Sequence, residues 1–127
     1  HMGGGNLFGM VAMEAAYLHG EEWLSGLISY LENNFNYLID FAGKEIPEMV
    51  VSPLEATYLV WLDFSFMDLD DMALKRFIIE KARLGLNDGP MFGPGGHGHQ
   101  RMNIATPIKH LKEGLSRLAL AVKASYL

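Results

Sequence analysis

The sequence contains no cysteine, which excludes a disulfide framework and any thiolate-based catalytic or metal site. Its 10 Lys and Arg residues, set against 15 Asp and Glu, form no basic cluster, so we expect no nucleic-acid surface. No apolar run approaches the roughly 20 residues of a membrane-spanning helix, and no signal-peptide pattern is present. Together these absences favour a cytoplasmic protein that binds neither nucleic acid nor membrane.

What is present is typical of a single globular domain. The chain has 127 residues, a net charge of -5 and 50% apolar residues, enough for a modest hydrophobic core. His1-Met2 resembles an expression-vector remnant, and the glycines up to residue 5 belong to it or to a linker. We therefore interpret residues 6–127 as one domain.

Apolar periodicity and capping signals predict four helices. They are Leu7–His19 with Asn6 as N-cap, Glu21 to Gly43, about Asp71 to Arg83 with Asp68 or Asp70 as N-cap, and a last helix from Thr106-Pro107. The last helix carries one apolar stripe made of Ile108, Leu111, Leu115, Leu118 and Val122.

Three short strands are predicted between these helices, which gives an α+β fold with the helices on one face of the sheet. They are Ile46–Ser52 (an edge strand, because it contains Pro47), Thr57–Phe64 and His99–Ala105. Apolar residues on both faces of Thr57–Phe64 predict that both are covered. Asn87-Asp88-Gly89 indicates a turn that opens a glycine-rich loop. Too few elements remain to cover the second sheet face, which suggests that something outside this chain does so.

Arg101 is the main candidate binding residue. Strand alternation places Arg101 and Asn103 on one face and the apolar pair Met102 and Ile104 on the core face. A guanidinium on a strand beside a glycine-rich loop can hold a carboxylate with two hydrogen bonds. The alternative interpretation is an ion pair with Asp63 on the adjacent strand.

Two further patterns in the glycine-rich loop carry less information. Gly93 to Gly98 fits the spacing of the dinucleotide-binding fingerprint, but a strand-like segment follows it where that fingerprint requires a helix. His97 and His99 would put both rings on one face of a strand, yet two histidines without a third ligand do not form a zinc site. We predict no metal site and interpret both as solvated histidines.

Three blocks resemble the small domain of fold-type-I pyridoxal-phosphate (PLP) enzymes. Residues 15–34, from Ala-Ala-Tyr to Asn34, are similar to the helix that enters that domain, and 57–64 (TYLVWLDF) to one of its strands. Residues 89–107, with Arg101, Asn103 and Pro107, resemble its carboxy-terminal signature. The most similar group is the MalY/PatB C–S lyases, of cystathionine β-lyase type, within the class I/II aminotransferase superfamily.

The resemblance implies a short, mainly antiparallel sheet with helices on one face, as in aspartate-aminotransferase-like small domains. It implies that Arg101 binds the substrate α-carboxylate, with Asn103 in a supporting role. Family members form an external aldimine on PLP, remove the α-proton and then eliminate a thiol or transaminate. They are cytoplasmic homodimers that act on amino acids such as cysteine conjugates.

The cofactor-binding parts of that family have no counterpart in this sequence. None of its six lysines resembles the Schiff-base motif, so we expect no catalytic or cofactor-binding residue here and no activity from the chain alone. PLP is expected in a longer parent enzyme. The uncovered sheet face and the small-residue first helix predict self-association, with exchange of Leu7–His19 about Gly20 as one route. The alternative function is a stand-alone α+β module that binds a carboxylate or another protein.

Overall fold

The computed structural model describes residues 5–125, so the remnant or linker interpretation of residues 1–5 lies outside the described part except at Gly5. Two compact units divide the chain, with their boundary between Glu32 and Asn33. The helices are α1 (Leu7–His19), α2 (Glu21–Glu45), α3 (Asp71–Arg76, continued as a π-helical segment Phe77–Lys81) and α4 (Ile108–Ser125). The strands are β1 (Val50–Val51), β2 (Leu59–Asp63), β3 (Asn87–Asp88) and β4 (His99–Asn103).

The first unit contains α1 and the first half of α2. As predicted, Asn6 caps α1, because its Oδ1 accepts a hydrogen bond of 2.7 Å from the backbone N–H of Gly9. None of the α1 side chains is buried, although the helix is apolar on every side. Its large exposed side chains are Leu7, Phe8, Met10, Val11, Met13, Tyr17 and Leu18.

The second unit holds the hydrophobic core, into which α2 presents Asn34, Leu38 and Ala42. This buried stripe repeats every four residues, and the apolar Ile39 next to it is exposed. The predicted end of α2 at Gly43 is also wrong. Backbone hydrogen bonding continues past it, with the Ile46 N–H donating to the Ala42 carbonyl, because glycine tolerates the helical conformation when its neighbours are packed.

The four strands form one antiparallel sheet in the order β1-β2-β4-β3, which confirms the predicted α+β class. β1 lies at the edge, as Pro47 predicted, but it is only two residues long. β2 begins at Leu59 because Thr57 has a φ of 68°, outside the extended region. The predicted turn at Asn87-Asp88 is wrong, since these residues form β3 and pair with β4.

The remaining helices follow the predicted apolar pattern closely. Asp70 caps α3 by accepting from the Ala73 N–H at 2.7 Å, and α4 begins at Ile108, one residue after the predicted first position Pro107. The core-facing residues of both are Leu74, Phe77, Ile78, Ala82, Leu111, Leu115, Leu118 and Val122, all buried.

The two faces of the sheet differ in burial. One cluster of buried side chains contains Val60, Leu62 and Met102 together with residues of α2, α3 and α4, so these three helices lie on that face. On the other face Leu59, Trp61 and Asp63 are only half-buried, contrary to our prediction that both faces of β2 are covered. Within residues 5–125, no helix combines the length and apolarity needed to span a membrane.

Candidate functional site

Arg101 lies in the middle of β4, on the face opposite the core. Its neighbour Met102 is 95% buried, whereas Arg101 is half-buried, as the alternation predicted. Antiparallel pairing places Trp61 of β2 on one side of Arg101 and Asn87 of β3 on the other. Arg101 is therefore held inside the sheet, and its side chain belongs to the half-buried face.

Two side chains contact the guanidinium directly. Its Nη2 donates a hydrogen bond of 3.1 Å to Oδ1 of Asn87, and its Cζ lies 4.2 Å from the ring centroid of Phe92. A guanidinium over an aromatic face is an attractive cation–π arrangement. The Arg101 Nε is buried and has no hydrogen-bond partner among residues 5–125.

The alternative partner, Asp63, does not pair with Arg101. Register places Asp63 opposite His99, whose Nε2 lies 3.8 Å from an Asp63 carboxylate oxygen. Burial alone would raise the Asp63 pKa, but hydrogen bonds from the side chain and backbone of Ser65, with the charge of His99, outweigh it and lower that pKa. No carboxylate within residues 5–125 forms an ion pair with Arg101.

The side chains of the two loop histidines have different partners. His97 lies in the turn before β4, where its Nδ1 is 2.5 Å from Oδ2 of Asp71, whereas His99 lies on the strand. The His99 Nδ1 is 2.7 Å from the His97 carbonyl, which can only accept, so this nitrogen carries the proton. Within the described residues no group of three ligands could hold a metal ion. The His97 side chain is 79% exposed, as predicted for a solvated histidine, whereas His99 is only half-buried on the strand, and each ring also has a protein partner.

Asp71 attaches the end of the loop to the first turn of α3. Besides His97, it accepts a hydrogen bond of 3.2 Å from the backbone N–H of Gly98. The hydrogen bond from His97, then that from Gly98, lowers the Asp71 pKa, so the carboxylate stays charged.

Two parts of the glycine-rich loop pack directly against each other. A Cβ built on Gly89 would lie 2.0 Å from the Gly96 carbonyl oxygen, and one on Gly96 would lie 2.1 Å from the Gly89 carbonyl oxygen. The close approach that glycine allows is therefore between two parts of the same loop. Both glycines are buried, which fixes the loop beside β4.

A cleft of about 290 Å³ lies between this loop and the sheet. Its aromatic lining consists of Trp61, Phe92 and His99, and Trp61 contacts the other two rings edge-on at centroid distances of 5.3 Å and 6.3 Å. Ser52, Pro94 and glycines of the loop complete the lining. The cleft and Arg101 share Phe92, whose ring lines the cleft and also contacts the guanidinium.

Asn103 follows Arg101 on the same face and is exposed. Its Oδ1 accepts from the Ala105 N–H at 2.8 Å, so it shapes the turn after β4. Our sequence reasoning missed Asn87 and Phe92 as contacts of Arg101. It also missed buried Asn34, which donates to the carbonyls of Ile104 and Thr106 at 2.8 and 3.0 Å and fixes the end of β4. A polar residue within an apolar helical stripe was the available signal for Asn34.

Comparison with known proteins gives the sequence and the fold a family context. No protein-family profile matches the chain. The chain is 39% identical over 121 residues to cystathionine β-lyase PatB of Bacillus subtilis, covering 95% of this chain and 31% of that protein. It therefore spans less than a third of that relative's length.

Two solved structures contain the same fold. Cystalysin from Treponema denticola, which contains a pyridoxal 5'-phosphate cofactor, superposes with a TM-score of 0.89 at 35% identity. The match covers 94% of this chain and 30% of cystalysin. The PLP-bound C–S lyase of Staphylococcus hominis, in the external aldimine form with L-cycloserine, gives a TM-score of 0.87 at 40% identity, covering 96% and 32%. The predicted resemblance to PLP-dependent C–S lyases is confirmed.

The residues of this chain do not themselves fit PLP. Covalent attachment requires a lysine amine, and neither the strands β2, β3 and β4 nor the loop 89–98 contains a lysine. All six lysines lie in helical segments and are exposed, and Lys75 and Lys123 are paired with Asp88 and Glu45. The site around Arg101 contains no lysine that could form a Schiff base.

Proposed function

We propose that this chain, which is homologous to the carboxy-terminal part of PLP-dependent C–S lyases of the cystathionine β-lyase type, works as the small domain of a longer enzyme of that kind. Residues 6–127 would form this domain, with residues 1–5 as a vector remnant or linker. The observation that carries the proposal is Arg101, a half-buried arginine beside an aromatic cleft with no carboxylate partner in the described chain.

The role proposed for Arg101 is to bind the α-carboxylate of an amino-acid substrate. A guanidinium presents several donors in one plane and binds a carboxylate through two parallel hydrogen bonds. The half-buried setting between Trp61 and Asn87 strengthens such a pair relative to one in water. Asn103 would support this site indirectly, through the turn that ends β4.

The reaction proposed for the parent enzyme is β-elimination from a cysteine conjugate or transamination of an amino acid. PLP supplies the electron sink for either reaction and would be held by residues outside this chain. The contribution of this chain is to bind and orient the substrate. Alone it would be catalytically inactive.

A cytoplasmic homodimer is the proposed setting of the parent. The exposed apolar surface of α1 supports an association of this helix with other protein surface, because a helix that is apolar on all sides is normally buried. In the isolated chain we propose self-association, with exchange of Leu7–His19 between copies as one route. A strictly monomeric particle in light scattering at high concentration would contradict this.

The test of the Arg101 role uses the longer enzyme. Arg101→Ala should lower kcat/KM by about 30- to several-thousand-fold, the equivalent of roughly 2–5 kcal/mol for loss of one partner of a desolvated charge pair. Arg101→Lys should also be impaired, because an ammonium cannot reproduce the planar two-donor geometry. PLP content and melting temperature should stay near those of the unaltered enzyme.

Asp63→Asn is the matched control, since Asp63 lies on the same face without contacting Arg101. It should leave kcat/KM far less affected than either Arg101 variant. An Arg101→Ala enzyme that is stable, PLP-replete and near-normal in kcat/KM would rule out the carboxylate role. For the isolated chain, a stoichiometric PLP absorbance band that resists dialysis would contradict its proposed lack of a cofactor site.

A further inference from the structure

We propose that Asn87 and Phe92 are positioning residues that hold the Arg101 guanidinium so that it meets a carboxylate with its terminal Nη edge. Neither residue would contact the substrate carboxylate. The inference rests on the proposed function for the identity of the ligand, but the orientation of Arg101 can be measured without any ligand.

Phe92 restrains the plane of the guanidinium. Its ring lies 4.2 Å from the Arg101 Cζ, and Trp61 supports the same ring edge-on at 5.3 Å. The segment that carries Phe92 is fixed, because Gly89 and Gly96 contact each other on either side of it. Rotation of the guanidinium out of its plane would break the contact with Phe92 and is therefore opposed.

Asn87 restrains rotation within that plane. Its Oδ1 accepts a hydrogen bond of 3.1 Å from Nη2 of Arg101. The next residue, Asp88, accepts from the buried Gln100 at 3.3 Å and forms an ion pair of 2.7 Å with Lys75. Because β3 is thus connected to both β4 and α3, Asn87 provides a fixed acceptor.

Burial of the Arg101 Nε restricts which edge of the guanidinium a ligand can reach. Arg101 Nε is inaccessible to solvent and lacks a partner among residues 5–125, so a carboxylate cannot reach the Nε–Nη2 side without displacing protein atoms. The terminal edge, made of Nη1 and Nη2, is the other two-donor edge of the group, and Asn87 accepts only one of the two Nη2 hydrogens. The geometry therefore favours an end-on, bidentate carboxylate.

Side-chain NMR of the 127-residue chain tests the orientation. The chain has four arginines, and Arg101→Lys identifies the Arg101 signals by their loss. In the unaltered chain, separate Nη1 and Nη2 signals are expected for Arg101, because rotation of its guanidinium is hindered. The exposed Arg76, Arg83 and Arg117 should give averaged signals.

Asn87→Ala and Phe92→Leu should each average the Arg101 Nη signals, while the backbone spectrum stays folded. Met91→Leu is the matched control, because Met91 is exposed in the same loop and should leave the signals separate. Averaged Arg101 signals in the unaltered chain, or separate signals that survive both substitutions, would overturn the proposal.

Kinetics of the longer enzyme supply the second readout. Asn87→Ala should raise KM about 5-fold with a smaller change in kcat, the equivalent of one hydrogen bond of ~1 kcal/mol. Asn87→Asp retains the acceptor and should keep the Nη signals separate, but its charge competes for the guanidinium and should raise KM further. Unchanged KM in both variants would overturn the positioning role.

The two proposals fail in different ways. If Arg101 does not bind the substrate, Arg101→Ala keeps normal kcat/KM while the NMR restraint persists in the unaltered chain. If only the positioning role is wrong, Arg101→Ala still loses activity while the Asn87 and Phe92 variants retain it.

Discussion

The two faces of the sheet are made from alternate residues of the same strands, yet they differ in burial and in polarity. Val60, Leu62 and Met102 are nearly inaccessible and pack with three helices. The opposite face carries Trp61, Arg101 and the His99–Asp63 pair, all half-buried. The first face stabilises the fold through apolar burial, and the second keeps polar groups at a fixed geometry where another molecule can reach them.

The largest expected difference between the faces concerns leucine truncation. Leu62→Ala removes a fully buried side chain and should lower the free energy of unfolding by about 2–5 kcal/mol. Leu59→Ala, on the other face of the same strand, should cost clearly less, because Leu59 is only half-buried. Urea unfolding of both variants measures the difference. Equal losses would mean that the second face is as important for stability as the first.

The second-largest effect is expected from removal of a buried side-chain amide. Asn34→Ala leaves the carbonyls of Ile104 and Thr106 without their donor and should cost roughly 1–3 kcal/mol of unfolding free energy. Asn36→Ala, at an exposed position of the same helix, is the control and should have little effect. If the two variants have the same urea midpoint, the hydrogen bonds from Asn34 to the end of β4 contribute nothing to the free energy of unfolding.

The loop on the Arg101 face can be tested through its glycines. Gly96→Ala forces a Cβ against the Gly89 backbone and should destabilise the chain by about 1–3 kcal/mol. Gly43→Ala meets no atom within 4 Å in α2 and should stabilise by roughly 0.5–1 kcal/mol. Opposite shifts in melting temperature are expected. A neutral Gly96→Ala would show that the loop can open without loss of packing.

The smallest effect is the acid dependence of the polar face. The pKa values of Asp63 and Asp71 are lowered on folding from the ordinary value of 3.8, so the unfolded chain binds protons more readily. The two carboxylates contribute their full stabilisation above pH 3.8. That contribution is lost as the pH falls through their lower pKa values in the folded chain. Asp71→Asn should flatten the fall in urea midpoint between pH 5 and pH 3 compared with the unaltered chain. Glu48→Gln removes one negative charge at an exposed position and serves as the control for loss of charge alone.

Local signals in the sequence predicted much of the fold. Asn6 and Asp70 cap their helices because a short polar side chain can satisfy the free N–H groups of a first turn whatever the tertiary context. The stripe from Leu111 to Val122 is buried and Ile108 is partly buried against the core, because the spacing matches the helical repeat. Alternation placed Arg101 opposite Met102 because successive strand residues point to opposite faces.

Predictions that depended on strand pairing were less successful. Asn87-Asp88 indicates a turn by composition, but β4 provides hydrogen-bonding partners and makes it a strand. The proposed pair of Arg101 with Asp63 required a register that the sequence does not specify. A shift of two residues places Asp63 opposite His99 and Trp61 opposite Arg101.

The amino-acid sequence by itself determined the helices, the α+β class, the face on which Arg101 lies and the resemblance to PLP-dependent C–S lyases. Each depends on residues close together in the chain or on a pattern of residue types. Only the tertiary structure decided that Asn87 and Phe92 contact Arg101, that Asp63 belongs to His99, and that Gly89 and Gly96 close the loop. Those contacts join residues of different strands or opposite ends of a loop, and their geometry is set by register and packing.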